Sequence, residues 1–253
     1  MINFITMTNS GYYTFADSQI ENFRKPFLQK HNLYIHCVDI ESYNYHKQKD
    51  LPDNIILTYI DAEIGGQHSY LQGRFKEMMR LKFPIILNAI DSLQTAVWFI
   101  DNDVLFFKDP EEYVDLTKDI LFQADMGDYP SRFGWVCTGC FWINDTNSSK
   151  QLLKELIYQQ GLFDRGEQEI LNDYCKSWPA NANVSEEVKG SITDYVGASL
   201  DILPYYLFQN GYLAFKHSEY SKHDCVMIHF NHETDYQIKI NNLNKVRVYY
   251  EQD

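Results

Sequence analysis

Basic residues are scarce in this chain of 253 residues: 22 Lys and Arg stand against 35 Asp and Glu, a net charge of −13. So acidic a surface repels phosphate backbones, and nucleic acid is not an expected partner. Long apolar runs are missing as well. None reaches the roughly 18 residues that cross a bilayer, so no integral membrane segment is expected. Met1–Met7 passes into strand-like sequence without a charged leader or a small-residue cleavage site, and the expectation is a soluble, cytoplasmic protein. Internal repeats, low-complexity tracts and Pro/Ser-rich linkers are also absent. The length therefore suits one large domain. With 45% apolar residues, that domain can bury a core and is not disordered.

Cysteine is sparse: Cys37, Cys137, Cys140, Cys175 and Cys225. An odd number in a chain this long is no disulfide framework. Cys137-Thr138-Gly139-Cys140 is the one close pair. A structural zinc site needs four ligands, and no second close pair follows. A redox pair normally opens a helix, whereas Phe141-Trp142-Ile143 reads as a strand. Two ordinary thiols entering a sheet are expected.

What is present is a regular alternation. Short β-branched or aromatic runs (2–8, 34–40, 55–59, 96–100, 119–124, 139–143, 202–207 and 226–230) read as strands. Helix-length segments (15–30, 70–93 with a break near Pro84, 110–116, 148–160 and 166–176) lie between them. This is the pattern of an α/β domain with a mixed central sheet flanked by helices. Regular strand–helix units before residue 103 suggest a nucleotide-binding half, and residues 104–253 a half for a second substrate. The polar segment 178–197 reads as a long loop and, with residues 129–136, as an acceptor-binding or lid region.

The most informative run is Val97-Trp98-Phe99-Ile100-Asp101-Asn102-Asp103-Val104. Four apolar residues form a buried strand, and two carboxylates sit at its C-terminal end, where open α/β sheets bind ligands. Two neighbouring carboxylates in apolar surroundings repel each other and resist desolvation. A hard divalent cation shared with ligand phosphates relieves both costs. A plain Asp-Asn-Asp turn is the bland alternative. His229 ends another apolar run, Val226–Ile228, and imidazole is a good ligand for such a cation. Taken alone, a histidine there reads as a core residue.

Two enzyme classes place Asp-x-Asp after an apolar strand. In haloacid-dehalogenase-type phosphatases the first Asp, here Asp101, is a nucleophile. There the motif lies near the N-terminus, with an acidic pair downstream that residues 123–128 match only loosely. In GT-A glycosyltransferases the motif follows a nucleotide-binding half, as here. The chain resembles the nucleotide-diphospho-sugar transferase family of GT-A glycosyltransferases over nearly its whole length. Six blocks occur in the family's order: Thr8-Asn9-Ser10-Gly11-Tyr12, Leu81-Lys82 with the apolar stretch after it, Asp101-Asn102-Asp103-Val104 with Lys108-Asp109-Pro110, Thr138-Gly139 with its strand, Glu167-Gln168 with Asn172, and His229-Phe230-Asn231 with Lys239.

The resemblance implies transfer of a hexose or deoxyhexose from a nucleotide diphosphate sugar, with a uracil base, to a glycan or other acceptor hydroxyl. Mn²⁺ or Mg²⁺ would be held by Asp103, His229 and Asp101, the last also reaching the ribose. Thr8, Asn9, Tyr12, Lys82, Asp101, Asn102, Gly139, Asn231 and Lys239 are the implied donor contacts, with Lys82 and Lys239 against the phosphates. Glu167 is the candidate base of an inverting reaction, and Gln168 would support the sugar in a retaining one. A cytosolic enzyme of glycan synthesis fits, as does a soluble catalytic fragment of an anchored one. A phosphatase and an inactive nucleotide-sugar-binding module are the alternatives. Three departures stand out: Glu167 replaces an Asp and is one methylene longer, Asp235 replaces a Gly and brings a negative charge towards the diphosphate, and Cys137 replaces an Asn.

Overall fold

The computed structural model describes residues 1–68, 73–125, 136–162, 166–174, 198–216, 225–231 and 233–251. In its first half, β1 (Asn3–Thr8), β2 (Asn32–Cys37), β3 (Ile55–Tyr59) and β4 (Val97–Ile100) alternate with α1 (Tyr13–Phe23), α2 (Ile40–Lys47), α3 (Phe75–Arg80) and α4 (Lys82–Leu93). Then come β5 (Val104–Phe106), β6 (Ile120–Ala124), β7 (Val136–Ile143), α5 (Asn147–Leu162) and α6 (Glu167–Tyr174). The chain closes with β8 (Leu200–Ile202), β9 (Phe208–Asn210), α7 (Gly211–Lys216), β10 (Met227–His229) and α8 (Tyr236–Glu251).

The main sheet has the order β3-β2-β1-β4-β7-β6-β8, and β5-β10-β9 forms a smaller one. β1 to β4 are parallel, while β7 runs antiparallel to both β4 and β6. This mixed sheet, covered by helices on both faces, is the expected class. Fully buried β4 lies at its centre, so its C-terminal end delivers Asp101 to the middle of the sheet edge. The Trp98 ring stacks on Phe4 at 5.7 Å and on Phe208 at 5.9 Å. Phe106 meets Phe4 edge-on. Phe106 and Phe208 belong to the small sheet, so this cluster, at about 2–3 kcal/mol per buried ring, fixes the small sheet and its His229 against the large one.

One irregularity shapes the site. Phe122 pairs with Phe141, but the next residue, Gln123, pairs with Cys137, so β7 advances four residues where β6 advances one. The extra residues Thr138-Gly139-Cys140 bulge towards the end of β4, and bulges re-aim side chains in this way.

Several boundaries differ from expectation. α1 ends at Phe23 rather than residue 30, because Pro26 disfavours helical backbone before it. The strand expected to reach residue 40 stops at Cys37, and α2 begins under an Asp39 cap that accepts from Ser42 N at 2.6 Å. The break in 70–93 falls at Leu81, and Pro84 sits in the first turn of α4, where proline is tolerated. Residues 110–116 form only a short 3-10 turn, Pro110–Glu112. The strand expected at 202–207 lies at 200–202. α2, β5, β9, α7 and α8 have no counterpart among the expected elements. Segment 178–197 and all but Val136 of 129–136 lie outside the described residues.

Candidate active site

A cavity of about 470 Å³ opens at the C-terminal ends of β1, β4 and β10. The backbone of the Asp-x-Asp turn is fixed before its side chains matter. Asp101 N donates to Gly139 O at 2.6 Å, and Phe230 N donates to Asp103 O at 2.9 Å. Asn102 turns inward: its Nδ2 donates to Met7 O at 2.7 Å and its Oδ1 accepts from Thr6 Oγ1 at 2.8 Å. From the buried face of α1, the Gln19 amide donates to Val104 O at 2.5 Å and to Asn102 O at 3.1 Å.

The turn presents Asp101 and Asp103 to His229. Its Nε2 lies 3.3 Å from Asp103 Oδ1 and 3.7 Å from Asp101 Oδ2. That nitrogen is buried and makes no well-aligned hydrogen bond. One ligand atom from each of the three residues lies within 4.8 Å of the others, a set of two oxygens and one nitrogen that suits a divalent cation. Gly139 keeps the space open: a Cβ there would sit 2.2 Å from His229 Cε1 and 2.5 Å from Asp101 Oδ2. The residues thus fit a metal, by an orphaned ring nitrogen and a cradle that a side chain would fill.

Cations of the chain itself also face the carboxylates. Lys239 Nζ is 2.6 Å from Asp103 Oδ2. Burial opposes the Asp103 anion, but Lys239 and His229 outweigh it and hold its carboxyl well below the usual range. Burial likewise opposes a charged His229, yet Asp103 beside it raises the ring to about 10.

Lys82 is the second internal cation, with a side chain only 1% exposed. Its Nζ donates to Thr138 O at 3.1 Å and to Glu167 Oε1 at 3.1 Å, and Asp101 Oδ1 lies 3.4 Å away. Burial would lower its pKa, but Asp101 and Glu167 hold it well above the ordinary lysine value. Glu167 Oε1 also accepts from Thr138 Oγ1 at 3.0 Å. Gln168 bridges Thr138 N at 3.2 Å and Asp125 Oδ2 at 2.7 Å, and Asn231 Nδ2 reaches Asp125 Oδ1 at 3.4 Å. Asn172 clamps the start of β7 through both Val136 N and Val136 O.

The structure therefore brings Asp101, Asp103, His229, Lys82, Lys239, Gly139, Glu167, Gln168, Asn231, Thr8 and Tyr12 to one cavity. The Tyr12 hydroxyl donates to His68 O. Two of the expected contacts have their amides engaged within the protein, although Asn102 also lines the cavity. Asn9 is fully buried, and its amide donates to Ile64 O and Gly66 O and accepts from Gly11 N. Asn102 is occupied as described above. The Asp235 carboxylate accepts from Ile238 N at 2.9 Å and so caps α8. Cys137 and Cys140 are buried thiols in β7, as expected. No motif singles out Gln19 or Gln123, and Asp125 falls only within the loose match to the phosphatase acidic pair. Their signal is a polar residue inside an otherwise apolar stretch, as in Ile120-Leu121-Phe122-Gln123-Ala124.

A mixed sheet with an Asp-x-Asp turn at the carboxyl end of its central strand β4, faced by a histidine from β10 of the small sheet, is the arrangement of a GT-A glycosyltransferase. Residues 29–243 match the nucleotide-diphospho-sugar transferase family, and the chain belongs to that family. Solved structures agree on the fold. A glycosyltransferase involved in glycosylation of the major capsid of PBCV-1 superposes with a TM-score of 0.52 at 13% identity, covering 96% of this chain and 98% of the other. The galactosyltransferase LgtC, in complex with donor and acceptor sugar analogues, gives 0.55 at 9% identity, covering 96% and 95%. An active-site mutant of LgtC gives 0.60 at 9% identity, covering 98% and 96%. No curated protein matches the sequence significantly. A GT-A fold removes the basis for the phosphatase alternative. Among the described residues no helix is long and apolar enough to cross a membrane.

Proposed function

We propose that this glycosyltransferase uses a divalent cation, Mn²⁺ or Mg²⁺, to transfer a hexosyl or deoxyhexosyl group from a UDP-linked donor to an acceptor hydroxyl. The observation that carries this reading is the buried Nε2 of His229 facing Asp101 and Asp103 across the space that Gly139 leaves open. Asp101, Asp103 and His229 would hold the ion. Bound there, it would supply positive charge against the departing diphosphate.

The chain's own groups do the rest. Lys239, beside Asp103, is the cation placed to meet a phosphate. Lys82 has its three contacts within the protein, so it orients Asp101 and Glu167 and reaches the phosphates only through its field. Thr8 and Tyr12 form the wall for the nucleoside. Asp125, Gln168 and Asn231 offer acceptors and donors for sugar hydroxyls. Among the described residues both donors to Glu167 fall on Oε1, and Oε2 is the atom to take an acceptor proton in an inverting reaction. In a retaining reaction the leaving phosphate takes that proton, and Gln168 lies against the sugar.

The test is release of free nucleoside diphosphate from UDP-hexoses, UDP-deoxyhexoses and GDP-sugars, with Mn²⁺ and with chelator. Turnover of one UDP-sugar that stops with chelator supports the reading. Equal turnover in chelator would remove the metal from it, and nucleotide binding without release would make the protein a binding module.

A further inference from the structure

Resting on the metal-site reading above, we infer that Gln123 is a positioning residue that fixes the orientation and tautomer of His229 for ion binding. The observation lies on the far side of the imidazole from the carboxylates. His229 Nδ1 is 2.8 Å from Gln123 Oε1. Which amide atom faces the ring is settled by the other half of the amide. Gln123 Nε2 donates to Gln209 O at 3.0 Å and to Phe208 O at 3.3 Å. Two backbone carbonyls can only accept, so the amide nitrogen belongs there and Oε1 belongs on the ring. An oxygen facing Nδ1 requires a proton on Nδ1. The lone pair of a neutral His229 is then on Nε2, the nitrogen that faces Asp101 and Asp103.

The competing acceptor on that side is Cys137 Sγ, at 3.7 Å from Nδ1, farther off and a weaker acceptor. Gln123 is fully buried, as is the ring it holds. It also joins three elements, since it lies on β6, its carbonyl partners on β9 and its imidazole partner on β10. The register shift between Phe122 and Gln123 is what turns its side chain towards the small sheet. Partners that hold the second ring nitrogen of a ligating histidine set ligand basicity and ring angle, and their loss typically weakens metal affinity about 10–100-fold.

The experiment compares Gln123→Met with Gln123→Glu in the full chain, reading Mn²⁺ affinity from the free-ion EPR signal. Both variants lose the amide donor to β9, but only Glu keeps an oxygen for Nδ1–H. Gln123→Met should bind Mn²⁺ about 10–100-fold more weakly than wild type, and Gln123→Glu should stay within about three-fold of it. A purely structural role would weaken both alike, or neither, and either outcome overturns the inference. A wild type that binds no Mn²⁺ overturns the metal-site reading as well. If the variants do not fold, ¹⁵N NMR of the Mg²⁺-loaded wild type decides the matter. A proton on His229 Nδ1 and none on Nε2 is expected, and the reverse overturns the proposal.

Discussion

Replacing Gly139 with alanine adds one methyl group at the most crowded point of the site. Its backbone is not in the left-handed region, so the perturbation is one of volume and not of conformation. The new Cβ would lie 2.2 Å from His229 Cε1, 2.5 Å from Asp101 Oδ2 and 2.9 Å from His229 Nε2. Ordinary carbon contacts begin near 3.5 Å, so the ring must retreat by about 1.3 Å or β7 must move. Neither is easy, because His229 is 1% exposed and Gln123 backs its far side. Overpacking of this kind costs about 1–3 kcal/mol, which lowers Tm by about 2–12 °C for a chain of this size. Displacement of a reacting group by about 1 Å costs on the order of 100-fold in rate. Gly139→Ala should therefore fold, melt somewhat early, bind Mn²⁺ at least about ten-fold more weakly and lose about 100-fold in kcat/KM. Gly161→Ala is the control. Nothing lies within 4 Å of a Cβ there, on the last turn of α5, and alanine favours helix. A Gly139→Ala protein with wild-type Mn²⁺ affinity would refute the reasoning.

Other perturbations have equally definite outcomes. Gln19→Leu removes the donor shared by the carbonyls of Asn102 and Val104, and should cost about 1–3 kcal/mol in urea unfolding; an unchanged midpoint would show that the turn needs no support from α1. Asp235→Ala should cost about 1 kcal/mol through loss of the α8 cap, while nucleotide affinity stays within about three-fold; a large gain in affinity would show that its charge acts on the diphosphate after all. Burial lowers both His36 and His46 to about 4 from 6.5. The unfolded chain then binds more protons between those values, so stability is intact above about pH 6.5, falls as pH drops towards 4, and by up to about 3 kcal/mol per histidine. Urea midpoints against pH measure this, and His46→Phe should flatten the slope.

The parts of the fold legible in sequence were those whose signal is local. Val97–Ile100 followed by Asp-Asn-Asp marks a buried strand and its functional end, and Ile55–Tyr59 has the predicted bounds. α2 was hidden because Tyr, Ile and His make up half of it, poor helix formers whose stability here comes from the Asp39 cap and from packing on β3. α8 could have been found from Asp235 as its cap and from Ile240, Leu243 and Val246 at helical spacing, all of which pack on one cluster. The site followed the same rule. Asp101, Asp103 and His229, which stand out through their motifs, are side chains that the structure brings together. Gln123 and Gln19 act through folding, from a bulge and from a helix face, and no spacing in the sequence ties either one to the residue it serves. Asn9 and Asn102 show the converse, since membership of a motif did not reveal that their amides serve the backbone.

The central claim is that Asp101, Asp103 and His229 join a cation to the nucleotide. Titration calorimetry of UDP into the protein, at about 5 mM Mn²⁺ to saturate a carboxylate site and again with chelator, tests it most directly. The account predicts binding that requires Mn²⁺ and is lost in Asp103→Ala. Equal affinity in chelator, or an Asp103→Ala protein that binds as well as wild type, would contradict it.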